Sequence, residues 1–137
     1  MMNRREVLKL LGAGALVGAG GTLAGQEAFL PDVELAMTAA PGTVQIRPGA
    51  STRVWRYAAE LLKGPADTLQ AMAGSYLGPT IRLRRGQKVR VRFTNRLDEP
   101  TTVHWHGLDV PEQADGHPRF AIGPGQMTWA RVVSARR

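Results

Sequence analysis

"YLGPTIRLRRGQKVRVRFTNRLDEPTTVHWHGLDVP", residues 76–111, decides the fold. Its middle, "KVRVRFTN" (88–95), alternates Val89, Val91 and Phe93 with Lys88, Arg90 and Arg92. Successive side chains of a strand point to opposite faces, so this segment has one apolar and one charged side. "PTIRLRR" (79–85) alternates in the same way, and Gly86-Gln87 between the two reads as a turn. "RLDEP" (96–100) is a further turn closed by Pro100, and "TTVHWHG" (101–107) reads as the next strand. Moving outward, "TVQIR" (43–47) and "TRVWRYA" (52–58) alternate as strands, and "MTWARVV" (127–133) reads as a last one. Residues 59–74 are interrupted by Gly64 and Pro65 and read as a loop insertion with a turn of helix, and 108–126 are turn-rich. Short strands with turns roughly every 8–12 residues indicate an all-β sandwich or barrel.

Composition narrows the function. The chain of 137 residues has no cysteine, which excludes a disulfide framework, a Cys-based zinc site and a thiol nucleophile. Its formal charge is +7, and basic residues crowd between Arg82 and Arg96. Because they alternate with Ile81, Leu83, Val89, Val91 and Phe93, they read as the solvated face of strands. Nucleic acid is not an expected partner, since stacking aromatics between the charges are missing.

The N-terminus reads as an address. Arg4 and Arg5 precede a weakly hydrophobic run from Leu10 to Gly25, too short and glycine-rich to span a bilayer comfortably. The pattern resembles a twin-arginine export signal over residues 1–25, cleaved after Ala24 or near Ala39 and Ala40. It implies the twin-arginine machinery as a partner and a periplasmic or secreted location. An uncleaved membrane anchor is the competing reading. "GAGALVG" (12–18) does not qualify as a dinucleotide loop, because no strand precedes it. Residues 26–42, with Pro31 and Pro41, read as a linker or irregular arm, leaving 43–137 as the domain.

His104 and His106 are two of three histidines in the chain. Two apart on a strand, they project to one face, with Val103 and Trp105 on the other. Their spacing of about 6–7 Å suits two neighbouring metal ions, one imidazole each. Imidazole accepts copper, zinc, iron or nickel, and spacing does not choose among them. An arbitrary H-x-H is more often a surface pair. Gly107 ends the strand and lets another group approach.

The stretch from 76 to 111 resembles the first cupredoxin domain of the laccase-like multicopper oxidases. The likeness rests on G-P-T-I-R, the R-G-Q turn, V-R-V-R-F-T-N-R-L and H-W-H-G, and extends to "VWRYA" and "DGHPRFAIGPGQ". It implies a Greek-key cupredoxin β-sandwich and copper as cofactor. It also implies that His104 ligates a type 2 copper and His106 one of a type 3 pair. Asp115 stands where the family has an acidic residue assisting proton delivery during oxygen reduction; an ordinary turn aspartate before Gly116 is the alternative. His117 matches no family ligand and reads as a loop residue, and Trp105 as core packing.

The family's enzymes have three cupredoxin domains, a trinuclear cluster of eight histidines in four H-x-H pairs, and a Cys-containing type 1 site. Three histidines and no cysteine supply at most one such pair. The end, "MTWARVVSARR", departs from the family pattern, so the sandwich is expected to be incomplete: a truncated or frame-shifted product, or one piece of a split oxidase. The resemblance thus leaves enzymatic activity of this chain open. Dioxygen and a phenolic or metal-ion reductant belong to the intact enzyme, and a second chain would supply the remaining ligands. A stand-alone exported copper carrier is the alternative, although Met37, Met72 and Met127 are scattered rather than clustered.

Overall fold

Alternating apolar residues build the strands, and the longest are not all where the sequence places them. In the computed structural model, which describes residues 29–133, β1 is Val33–Val44, β2 Thr52–Lys63, β3 Leu69–Gln70, β4 Thr80–Ile81, β5 Lys88–Asn95 and β6 Met127–Val133. One sheet has the order β2-β1-β5-β6, and β3 and β4 form a second, two-stranded sheet. β1 is antiparallel to β2 and parallel to β5, and β5 is antiparallel to β6. Among the described residues the helical content is limited to 3-10 turns at 66–68, 112–114 and 118–120. The expected all-β sandwich is therefore the observed class. The expected export signal over 1–25 lies outside the described residues.

The irregular arm expected over 26–42 is corrected: most of it is β1, a central strand. Val33, Leu35, Met37 and Ala39 face inward, and Glu34, Ala36, Thr38 and Ala40 face outward. The alternation is muted in sequence because its outward members include alanines rather than charges. Pro41 is tolerated because pairing with β5 ends at Ala39, so one side of the strand is open there. The strand expected over 43–47 is only the tail of β1. The strand expected over 79–85 shortens to Thr80–Ile81, because Arg84 turns back to Gln87 through two hydrogen bonds. β2 runs on to Lys63 and stops at Gly64-Pro65.

The inner face of the large sheet carries the core. Val33, Leu35, Met37 and Ala39 from β1 meet Val89, Val91 and Phe93 from β5 and Ala130 and Val132 from β6. Half-buried Leu69, Ile81, Val103, Trp105, Val110 and Ile122 cover them from the second layer. Each fully buried aliphatic or aromatic side chain contributes about 1.5–3 kcal/mol.

One polar residue sits inside this core. Asn95, at the end of β5, is 0% exposed and satisfied on every side. Its Nδ2 donates to the carbonyls of Glu99 and Ile122, both at 2.8 Å, and its Oδ1 accepts from the Leu97 amide at 2.9 Å. The amide thus ties the 96–101 turn to the 122–126 turn. Thr101 and Ile122 complete the tie with reciprocal backbone hydrogen bonds of 3.0 and 2.8 Å. Asn95→Leu leaves the Glu99 carbonyl and the Leu97 amide without their partner and removes one of two donors from the Ile122 carbonyl, and a loss of roughly 2–4 kcal/mol is expected. Urea denaturation followed by far-UV circular dichroism checks it; a midpoint within error of the wild type would show the tie to be dispensable.

Candidate metal centre

The histidine segment follows directly from the Asn95 tie. It was expected as a strand, and that is corrected: beyond the Thr101–Ile122 bridge, residues 102–105 run without a ladder, and His106-Gly107 form a turn. Side chains from elsewhere take the place of a neighbouring strand. Tyr57 Oη donates to the Thr102 carbonyl at 3.3 Å, and its ring meets Phe93 edge-on with centroids 6.0 Å apart. The Trp105 amide donates to Asp115 Oδ1 at 3.1 Å, and the indole Nε1 donates to the Ala114 carbonyl at 3.0 Å. Val103 and Trp105 pack on the core, as the alternation requires.

With Val103 and Trp105 turned inward, His104 and His106 are both exposed. Their rings lie edge to face, with centroids 5.7 Å apart and planes at 70°. Among the described residues no three His, Asp or Glu side chains converge as a metal site, so the pair is a donor set of two imidazoles.

Asp115 lies beside the pair. Its carboxylate Oδ1 and its backbone carbonyl are each 3.2 Å from His104 Nδ1. A carbonyl oxygen only accepts, so Nδ1 carries the hydrogen, and in the neutral ring Nε2 keeps its lone pair for a metal. A carboxylate on the far nitrogen is the usual outer partner of a metal-binding histidine, fixing tautomer and ring orientation. The donor set therefore fits a metal that takes imidazole nitrogen, copper included.

Gly116 explains how the turn comes so close. Its φ is +78°, and a Cβ there would meet the Val103 carbonyl carbon and oxygen at 2.9 Å and the His104 amide nitrogen at 3.0 Å. Only glycine allows the 115–116 turn to lie on the histidine backbone. Gly107 differs from expectation: a Cβ there would meet nothing within 4 Å, and its φ of +76° is what calls for glycine. His117 faces away from the pair's chemistry. Its Nδ1 accepts from the Arg119 amide at 3.3 Å and caps the 118–120 turn, as suits a loop residue. Sequence reasoning missed Tyr57 and Asn95. Asn95 left only the signal of a polar residue ending an apolar alternation, and Tyr57 left none, since its partner is 45 residues away.

A sandwich that presents paired imidazoles at the end of its sheet is a cupredoxin-type metal-binding domain. The family model for multicopper oxidases matches residues 53–134, and the chain belongs to that family. It is 43% identical over 67 residues to a multicopper oxidase of Staphylococcus aureus, covering 49% of this chain and 15% of that protein. It is 44% identical over 61 residues to a copper resistance protein A homolog of Pseudomonas syringae, covering 44% of this chain and 10% of the relative. Among solved structures, the multicopper oxidase of Pseudomonas thermotolerans superimposes with a TM-score of 0.58 at 33% identity, over 74% of this chain and 22% of that one. The chain thus spans between a tenth and a quarter of these relatives. Membership of this family implies copper as the cofactor.

Two substitutions separate orientation from ligation. Asp115→Ala frees the His104 ring and is expected to weaken copper binding about 10–100-fold, as isothermal titration would measure. Gly116→Ala is expected to cost about 2–4 kcal/mol of stability in thermal unfolding and to weaken copper uptake as well; unchanged copper affinity in both would dissociate the turn from the histidines.

Proposed function

We propose that this chain is the copper-binding first domain of a laccase-like multicopper oxidase, contributing His104 to a type 2 and His106 to a type 3 position of a trinuclear cluster. The observation that carries this reading is the exposed edge-to-face imidazole pair, with His104 Nδ1 held by Asp115. Rings with centroids 5.7 Å apart are placed to serve two adjacent ions, one imidazole each. In the whole enzyme a phenolic or metal-ion reductant gives up electrons one at a time. Four electrons and four protons reduce dioxygen to two waters, and bound copper supplies that redox chemistry.

The chain's own residues have defined tasks in this reading. His104 keeps its proton at Nδ1 and offers Nε2 as ligand. Asp115, whose side chain is 33% exposed, connects solvent to that imidazole and serves proton delivery. Trp105 anchors the segment between the two ligands. With three histidines and no cysteine in its 137 residues, the remaining cluster ligands and the type 1 site come from other polypeptide, and the chain alone does not turn over. The Arg4-Arg5 segment directs export by the twin-arginine route to the periplasm or beyond.

The test is to express the chain with copper and measure stoichiometry, visible absorbance and dye oxidation. The expectation is loose copper uptake, no intense blue band and no turnover. His104→Ala and His106→Ala should each lower copper affinity about ten-fold or more. A blue, turnover-competent sample from this chain alone would overturn the reading, as would copper uptake unaffected in the double variant.

A further inference from the structure

We infer that the outer face of the large sheet, at its β5–β6 edge, is a docking surface for an anionic lipid bilayer. The register defines this face. Arg90 stands directly opposite Arg131, and Arg92 opposite Trp129. Like charges in direct cross-strand pairs are unfavourable within a sheet, so Arg90 against Arg131 is not there for the sheet's own stability. The acids of the face do not outnumber its cations: Glu34 is taken by Arg90 at 2.8 Å, Glu60 stands on β2 with β1 between it and Arg92, and Asp109 bridges to Val133 at the end of β6.

Apolar groups are interleaved with these charges. Trp129 is 44% exposed and Met127, next on the same face, 50%. The Arg90 guanidinium lies 5.5 Å from the Trp129 ring centre, and the Arg131 guanidinium 5.4 Å from that of Phe29. Arginine and tryptophan side by side on one exposed face match the headgroup region of a bilayer, where an indole sits at the interface and each basic side chain adds about 1 kcal/mol toward anionic lipid.

Two observations favour lipid over nucleic acid. Single-strand binders stack successive bases on several aromatic faces, whereas β5 and β6 present one indole outward, already flanked by Arg90. The second is Phe29, whose ring is already covered by the Arg131 guanidinium at 5.4 Å and so adds apolar surface beside a charge rather than a free stacking face. This inference does not depend on copper.

The test uses the full chain and sedimentation with vesicles. Phosphatidylcholine alone reports whatever the N-terminal run contributes, and vesicles with about a third phosphatidylglycerol add the charge. The expectation is tighter binding to the anionic vesicles, lost as salt shortens the screening length. Arg92→Gln with Arg131→Gln should weaken that binding about 25-fold while leaving phosphatidylcholine binding unchanged. Both side chains are exposed, so the fold is retained, and an unchanged thermal transition confirms it. Independently, anionic vesicles should shift the tryptophan emission to the blue in the wild type and not in Trp129→Phe. Equal affinity of the wild type for both vesicle types overturns the inference, as does a double variant that binds like the wild type. Preference for a single-stranded oligonucleotide over anionic vesicles at matched salt also overturns it.

Discussion

An extended backbone without a neighbouring strand must find other partners for its polar groups, and residues 102–105 do so through side chains. Tyr57 reaches the Thr102 carbonyl, Asp115 takes the Trp105 amide, and Ala114 receives the indole. Unsatisfied, such groups would each cost about 1–3 kcal/mol where buried. The same contacts set the direction of the two imidazoles. Position and satisfaction are thus achieved by one set of bonds, and the geometry of the histidine pair is inseparable from the local fold.

That arrangement has a hierarchy. Asn95 joins two turns from inside the core, Thr101 and Ile122 continue the tie, and the histidine segment leaves from it. Gly116 then brings the 115–116 turn onto the segment from the outside, at a distance no side chain would permit. Asp115 is the point where the outer constraint meets the chemistry, since one oxygen serves both the Trp105 amide and the His104 ring. Its proximity to the histidine therefore has a structural origin.

The legible parts of the sequence were those with a strong local period. Val89, Val91 and Phe93 announced β5, and Met127–Val133 stood out as β6. The shared side of His104 and His106 was also legible, because extended backbone alternates whether or not it is paired. β1 was not legible: Ala36, Thr38 and Ala40 are small residues on its solvent side, and small residues look alike in a loop and in a central strand. The strand expected through the histidines failed for the opposite reason, since an alternating pattern does not supply a partner. Tyr57 was invisible because its role depends on a contact made only after the layers close.

The pairing of β1 with β5 has a kinetic consequence. The Glu34–Arg90 ion pair and the Asp32–Lys88 contact join residues 56 positions apart, and the strands between them lie elsewhere in the fold. β1 can form its hairpin with β2 early, but its other sheet neighbour is β5, and much of what covers its inner face, Val103, Trp105, Val110 and Ile122, comes later still. The chain must close a long loop before the central apolar surface is sheltered, a topology that folds slowly. During synthesis Val33, Leu35 and Met37 wait, solvent-facing, for more than fifty further residues. Shelter for this surface is timed by the arrival of β5, β6 and the residues between them rather than by any local step.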